Sequence, residues 1–264
     1  MSAEMTDLFS LKGRTALITG GSRGIGRMIA KGFLAQGATV YISARKAQAC
    51  IDTAKELSQY GTCIAIPGDV STTAGAQALA DAYLALQPQL DILVNNAGAA
   101  WGEDYDSFPE SGWDKVVDLN MKAPFFLTKM LTSALRKAAK SHVAKVINIA
   151  SIDGLSVNPM ETYSYAASKA GLIHLTKRMA LRLAADNIAV TAIAPGAFAS
   201  DMNKVARDHG DAVAKRVPAG RVGVDADMAG AAIYLASRAG DYVVGATLVV
   251  DGGVSFTRHG DVEH

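Results

Sequence analysis

Arg14-Thr15-Ala16-Leu17-Ile18-Thr19-Gly20-Gly21-Ser22-Arg23-Gly24-Ile25-Gly26 decides how this chain folds. Residues 14–19 centre on Ala-Leu-Ile, a short apolar run that reads as a buried strand of a parallel sheet. The run breaks at glycines, after which Ile25, Ile29, Phe33 and Leu34 recur at helical spacing. Strand, glycine turn and helix in that order turn a weak Gly-x-x-x-Gly-x-Gly pattern into a strong one. Glycines let backbone approach a pyrophosphate, and the helix start offers it N–H groups and a positive dipole. A merely structural glycine turn is the competing reading.

The same alternation continues outward from this unit. Strands are predicted at 39–42, 62–67, 91–94, 144–149, 188–193 and 246–250. Helices are predicted after the Ser43–Lys46 turn to about Tyr60, at 72–87, from the loop 101–113 to about Lys140, from Tyr165 to about Ala185, and at 225–237. This order predicts an α/β protein: a single-domain, Rossmann-type doubly wound parallel sheet of about seven strands, with ligands at the carboxyl ends of the strands. The domain should run over 10–256, with polar terminal segments at 1–9 and 257–264.

The second strand ends in Ser43-Ala44-Arg45-Lys46. A site for NAD would place Asp or Glu here, on the ribose 2′-hydroxyl. Arg45 and Arg23 instead offer charge and a planar fork to a 2′-phosphate, which points to NADP(H). Arg45 as an ordinary solvated cation is the alternative.

Tyr165 and Lys169 stand four apart at the start of a helix, so phenol and ammonium share one face. A tyrosine with a pKa near ~10 is a poor base at neutral pH. A fixed cation nearby favours the phenolate, and a positively charged nicotinamide adds to the effect. The phenol then exchanges a proton with a carbonyl or alcohol oxygen. Taken alone, Tyr-x-x-x-Lys is equally a surface helix.

Further motifs supply context: Asp69-Val70, Asn95-Asn96-Ala97-Gly98, Asn120, Ser151, Tyr165-Ala166-Ala167-Ser168-Lys169 and Pro195-Gly196. With the glycine turn, their order and spacing resemble the short-chain dehydrogenase/reductase family over about residues 12–253. The nearest likeness is to its 3-oxoacyl (acyl-carrier-protein) reductase-like branch, including the form associated with rhamnolipid synthesis.

The resemblance implies that Ser151 binds a carbonyl oxygen and Tyr165 transfers the proton. It implies that Lys169 lowers the tyrosine pKa and holds the nicotinamide ribose, and that Asn120 disturbs its helix and supports a proton relay. Implied cofactor contacts are Gly20, Ser22, Arg23, Gly24, Ile25, Gly26, Arg45, Asp69, Val70, Asn96, Ala97, Gly98, Tyr165, Lys169, Pro195, Gly196 and Ser200. A homotetramer closed around the terminal strand is implied as well. Read without the resemblance, Asp69 could equally cap the next helix, and the Asn-Asn motif could stitch strands together.

Ser151 precedes Tyr165 by fourteen residues, one more than in many relatives, so the loop between them should carry an insertion. In that loop Asp153 and Glu161 read as solvated charges, while Trp101 reads as a pocket wall or as plain packing. Residues 198–221 are poorly patterned, as a substrate lid would be.

Composition narrows the function classes. Twenty-six basic and 25 acidic residues nearly cancel, without a long block of either sign, which argues against a nucleic-acid or polybasic membrane surface. Cys50 and Cys63 lack Cys-x-x-Cys spacing and read as reduced thiols of a cytoplasmic protein. His142, His174, His209, His259 and His264 form no metal-ligand pattern, so no metal is expected. No signal peptide or spanning segment is expected.

The expectation is an NADPH-dependent reductase of a 3-oxoacyl thioester. A dehydrogenase or carbonyl reductase of a small ketone, sugar, polyol or steroid is the alternative, and a non-catalytic cofactor-binding sensor is the third reading.

Overall fold

The computed structural model describes residues 5, 7–200 and 203–257. The expectations for Asp201, Met202, His259, His264, most of the leader and the tail beyond Thr257 lie outside the described residues. Those described form a sheet of seven parallel strands: β1 (Thr15–Thr19), β2 (Thr39–Ser43), β3 (Cys63–Ala65), β4 (Ile92–Asn95), β5 (Ala144–Ile149), β6 (Ile188–Pro195) and β7 (Thr247–Val250). The spatial order is β3-β2-β1-β4-β5-β6-β7. Order reverses beside β1, between β2 and β4, and that is where a doubly wound sheet opens a crevice at its carboxyl edge.

Helices cover both faces. α1 (Gly24–Ala35), α2 (Ala47–Leu57) and α9 (Asp225–Ala236) bury Ile29, Phe33, Leu57, Met228 and Leu235 against one face. α3 (Thr73–Leu86), α5 (Ala123–Ala138) and α6 (Tyr163–Leu183) bury Leu79, Tyr83, Leu127, Leu131 and Leu183 against the other. Both faces of β1 are thereby dry, and Ala16, Leu17 and Ile18 are fully buried as its apolar run implies.

One expected element is corrected. The single long helix reaching Lys140 is α4 (Glu110–Val117), a π turn at Asp118–Lys122, and then α5. The wider turn accommodates an inward-facing Asn120, which is 1 % exposed and bonds across to another segment. The third strand is also shorter than the apolar run. The poorly patterned stretch after Phe198 contains two short helices, α7 (Lys204–Asp208) and α8 (Gly210–Ala214).

Candidate active site

The glycine turn sits at the carboxyl end of β1. Arg23 precedes α1 in an extended conformation without capping the helix through its side chain, and no acidic residue lies in the first helical turn. The helix start is therefore left to an anion from elsewhere. Gly24 has φ +51°, a backbone that favours glycine. A Cβ on Gly26 would lie 2.4 Å from the Gly20 carbonyl oxygen and 2.5 Å from Asn96 Nδ2, so this glycine lets the turn close on Asn96. Ile25 packs on the core beneath, and the Ser22 carbonyl accepts from Thr53 Oγ1 at 3.1 Å.

Asn96 Nδ2 donates to the carbonyls of Thr19 and Gly20, at 2.9 and 3.1 Å. Thr19 Oγ1 accepts from the N–H groups of Asn96 and Ala97, both at 3.0 Å. Asn95 Nδ2 donates to Asn148 Oδ1 at 2.9 Å, and Asn148 Nδ2 donates to Thr176 Oγ1 at 2.9 Å. The asparagines thus stitch β1, β4, β5 and α6 together. Asn148 and Thr176 escaped the sequence reading, because a lone polar residue in an apolar strand has no pattern to reveal its partner.

Arg23 and Arg45 are both exposed at this end of the sheet, and Ser43 Oγ between them in sequence is buried without a hydrogen-bond partner. Val70 is buried, whereas Asp69 is exposed and accepts from the Ser71 N–H at 3.0 Å. Asp69 does not cap α3. Thr72 does, its Oγ1 accepting from the Gly75 N–H at 3.0 Å, because it stands at the N-cap position itself. Pro195 ends β6, and Gly196 donates to the Val250 carbonyl at 2.9 Å. Ser200 lies against the glycine turn, 3.2 Å from where a Cβ on Gly24 would stand.

Two of the proton-transfer candidates, Asn120 and Lys169, meet at Gly98. A Cβ there would meet Asn120 Oδ1 at 3.2 Å and Lys169 Nζ at 3.7 Å. Asn120 Nδ2 donates to the Ala99 carbonyl at 2.9 Å and to Ser168 Oγ at 3.1 Å, and its Oδ1 accepts from the Ala99 N–H at 2.8 Å. Lys169 is buried, donates to the Ile149 carbonyl at 2.7 Å, and holds its Nζ 5.5 Å from the centre of the Tyr165 ring. Ser151 follows β5, is 7 % exposed, and accepts from the Asp153 N–H at 3.1 Å.

The electrostatics differ from the sequence expectation in one respect. Burial drives the Tyr165 phenol up to about 12, opposed by a hydrogen bond from Ser151 and reinforced by the Asp153 charge. Burial likewise brings Lys169 down to about 8, with Asp153 opposing. Lys169 therefore does not by itself make Tyr165 acidic. Its ammonium faces the ring and a backbone carbonyl, and removing a phenolate from water costs more than that placement returns.

Asp153 is also more than a solvated loop charge, since its field reaches both groups. Glu161 stays outside, accepting from the Tyr163 hydroxyl at 3.1 Å. Trp101 is a packing residue: a Cβ on Gly112 would stand 2.8 Å from its ring, and Lys115 Nζ lies 5.1 Å from a ring centre.

Among the described residues no group of three or more His, Cys, Asp or Glu could hold a metal ion. Nor is any helix there long and apolar enough to cross a membrane.

A doubly wound parallel sheet, an uncapped glycine turn at its switch point and a Ser-Tyr-Lys-Asn set beside it define a nucleotide-binding α/β protein equipped to move a proton at an oxygen. Residues 14–211 match the family model described as short chain dehydrogenase, and the chain belongs to that family. It is 48 % identical to the rhamnolipids biosynthesis 3-oxoacyl-[acyl-carrier-protein] reductase of Pseudomonas aeruginosa, over 94 % of this chain and 99 % of that protein. It is 40 % identical to the 2-dehydro-3-deoxy-D-gluconate 5-dehydrogenase of Bacillus subtilis, over 94 % and 96 % of the two chains. Among solved structures, the Pseudomonas aeruginosa RhlG/NADP active-site complex superposes with a TM-score of 0.91 at 47 % identity, covering 94 % of this chain and 98 % of that one. A Burkholderia cenocepacia gluconate 5-dehydrogenase in complex with NADP and tartrate gives 0.88 at 34 % identity, covering 96 % and 100 %.

Proposed function

We propose that this chain is an NADPH-dependent reductase of a carbonyl group, acting on a 3-oxoacyl thioester. The observation that carries the reading is a linked set one strand from an uncapped glycine turn: Asn120 and Lys169 meet at Gly98, Lys169 lies under the Tyr165 ring, and Ser151 hydrogen-bonds Tyr165. One relative supports it twice over: the Pseudomonas aeruginosa 3-oxoacyl reductase is 48 % identical in sequence, and its solved structure, at 47 % identity, is an NADP complex.

The residues present fit the cofactor. The bare start of α1 and the backbone of Gly20, Ser22, Gly24 and Ile25 suit a pyrophosphate. Arg23 and Arg45 suit a 2′-phosphate, and no carboxylate stands at 43–46 to oppose it. Asp69, Val70, Asn96, Ala97, Gly98, Pro195, Gly196 and Ser200 complete the cradle. NADPH bound there supplies the hydride.

Everything else falls to this chain. Ser151 Oγ donates to the substrate carbonyl oxygen as negative charge grows on it. Tyr165 gives that oxygen its proton, and a phenol held at about 12 is protonated and ready to give it throughout the neutral range. Lys169, buried below the ring, stabilises the phenolate left behind. Asn120 keeps the π turn open beside Lys169, where protons can be resupplied. We place the protein in the cytoplasm and treat residues 10–256 as one catalytic domain.

A sugar-acid dehydrogenase is the second reading, favoured by the 40 % identity to the gluconate-type enzyme. Following NADPH oxidation with 3-oxoacyl thioesters, simple ketones and 5-keto sugar acids decides between them. The proposal expects the thioesters to give the highest kcat/KM. A sugar acid turned over at least ten times better would establish the second reading.

A further inference from the structure

The loop that joins Ser151 to Tyr165 carries its apolar side chains outward. Leu155, Val157, Met160 and Tyr163 are all exposed, with Val157 entirely so and Met160 at 66 %. Four large apolar residues in nine positions is an unusual thing to leave in water beside a catalytic pair. The loop is tied to the segment 101–108: the Glu103 N–H donates to the Glu161 carbonyl at 3.2 Å, and Tyr163 packs edge-on to Tyr105 and Phe108, at 5.6 and 5.7 Å between ring centres. Together they make an apolar lip on the loop whose two ends carry Ser151 and Tyr165.

The polar side chains of this loop are turned back on the loop itself. Ser156 Oγ donates to the Ile152 carbonyl, Asn158 Oδ1 accepts from the Met160 N–H, and Glu161 accepts from Tyr163. The charges that the two segments themselves carry are of one sign. Glu103, Asp104, Asp106, Asp153 and Glu161 lie on the two segments, and neither 101–108 nor 152–163 contains Lys or Arg. Such a surface repels a sugar acid and has few groups turned toward a polyol. Its chemistry suits an uncharged hydrocarbon.

We propose that this lip receives the alkyl tail of the substrate and that Leu155, Val157 and Met160 set its chain-length preference. The inference rests on the carbonyl-reductase reading but not on the thioester.

The test measures kcat/KM for two homologous series from four to twelve carbons, 3-oxoacyl thioesters of N-acetylcysteamine and neutral methyl ketones. Wild type is compared with Val157→Ser, Met160→Gln and the double variant, and light scattering is run on each. Each methylene that reaches the lip should raise wild-type kcat/KM about two- to fourfold. The ratio of wild type to double variant should climb at least tenfold across a series.

A flat ratio in both series overturns the inference, as does a change of oligomeric state with no change in chain-length dependence, which would make the lip a contact between copies. A climbing ratio with ketones but no turnover of thioesters keeps the lip and rejects the thioester. Thioester turnover with a flat ratio does the reverse. No turnover in either series overturns both.

Discussion

At Tyr165 the question is which group carries the proton. Removing only the hydroxyl leaves the ring and its contact with Lys169 in place. Tyr165→Phe should therefore keep cofactor affinity and lose at least a hundredfold in kcat, about 2.7 kcal/mol in barrier. Cofactor fluorescence titration and steady-state rates check this, and a variant within tenfold of wild type would remove Tyr165 from the chemistry.

Lys169 gives a stability signature independent of turnover. Its folded pKa of about 8 lies below the ordinary 10.5, so the unfolded chain binds a proton that the folded chain releases earlier. Stability contributed at this position is lowest below pH 8 and rises as pH climbs from 8 towards 10.5. Between pH 7 and about 9.5 wild type should gain on Lys169→Met by roughly 2 kcal/mol, at about 1.4 kcal/mol per pKa unit. Urea denaturation at the two pH values measures the difference. A gap independent of pH would mean the ammonium is not desolvated.

In the proposed reading, cofactor preference turns on Arg45. Each charge-assisted bond to a 2′-phosphate is worth roughly 1.5–3 kcal/mol. Arg45→Asp should shift the NADPH/NADH ratio of kcat/KM at least about tenfold towards NADH. Because Arg45 is exposed, added salt should weaken NADPH binding more than NADH binding. Wild-type use of both cofactors at equal efficiency would reduce Arg45 to a surface charge.

The π turn at Asp118–Lys122 is the element whose form depends most on a single side chain. Asn120 satisfies both backbone groups of Ala99 and reaches Ser168 on α6. Asn120→Ala leaves the two half-buried groups of Ala99 and the buried Ser168 hydroxyl without this partner, at up to about 1–3 kcal/mol for each group left without a bond. A loss of roughly 2–4 kcal/mol in urea unfolding is expected, with Asn120→Asp recovering part of it through the acceptor oxygen. A fully stable alanine variant would mean that the turn stands without its asparagine. The sequence could flag Asn120 only through resemblance, since asparagine in mid-helix is mildly unfavourable anywhere. Its use depends on residues 21 and 48 positions away.

Across the whole molecule, the sheet ends in an uncovered edge. All four residues of β7 are half-exposed, and Tyr242, Val244, Val254 and Phe256 beside it are exposed. An apolar edge of this kind is a place for a second copy, and closed two-fold symmetry then gives the tetramer that the resemblance implies. Light scattering at micromolar concentration should return four times the 27.5 kDa chain mass. A monomer would overturn this reading, and charged substitutions at Tyr242 and Phe256 should weaken the assembly.

What the sequence determined by itself were the local and periodic features. The strand–glycine–helix unit, the strand and helix order and the i, i+4 placement of Tyr165 and Lys169 all follow from hydrophobic period and backbone freedom, which neighbouring residues carry among themselves. The tertiary structure alone decided which polar groups meet across the sheet. It joined Asn148 to Asn95 and Thr176, broke the long helix at Asn120, and made Thr72 the cap in place of Asp69. It also set the sign of the Tyr165 shift, because desolvation is a property of everything packed around a group and is written at no single position of the chain.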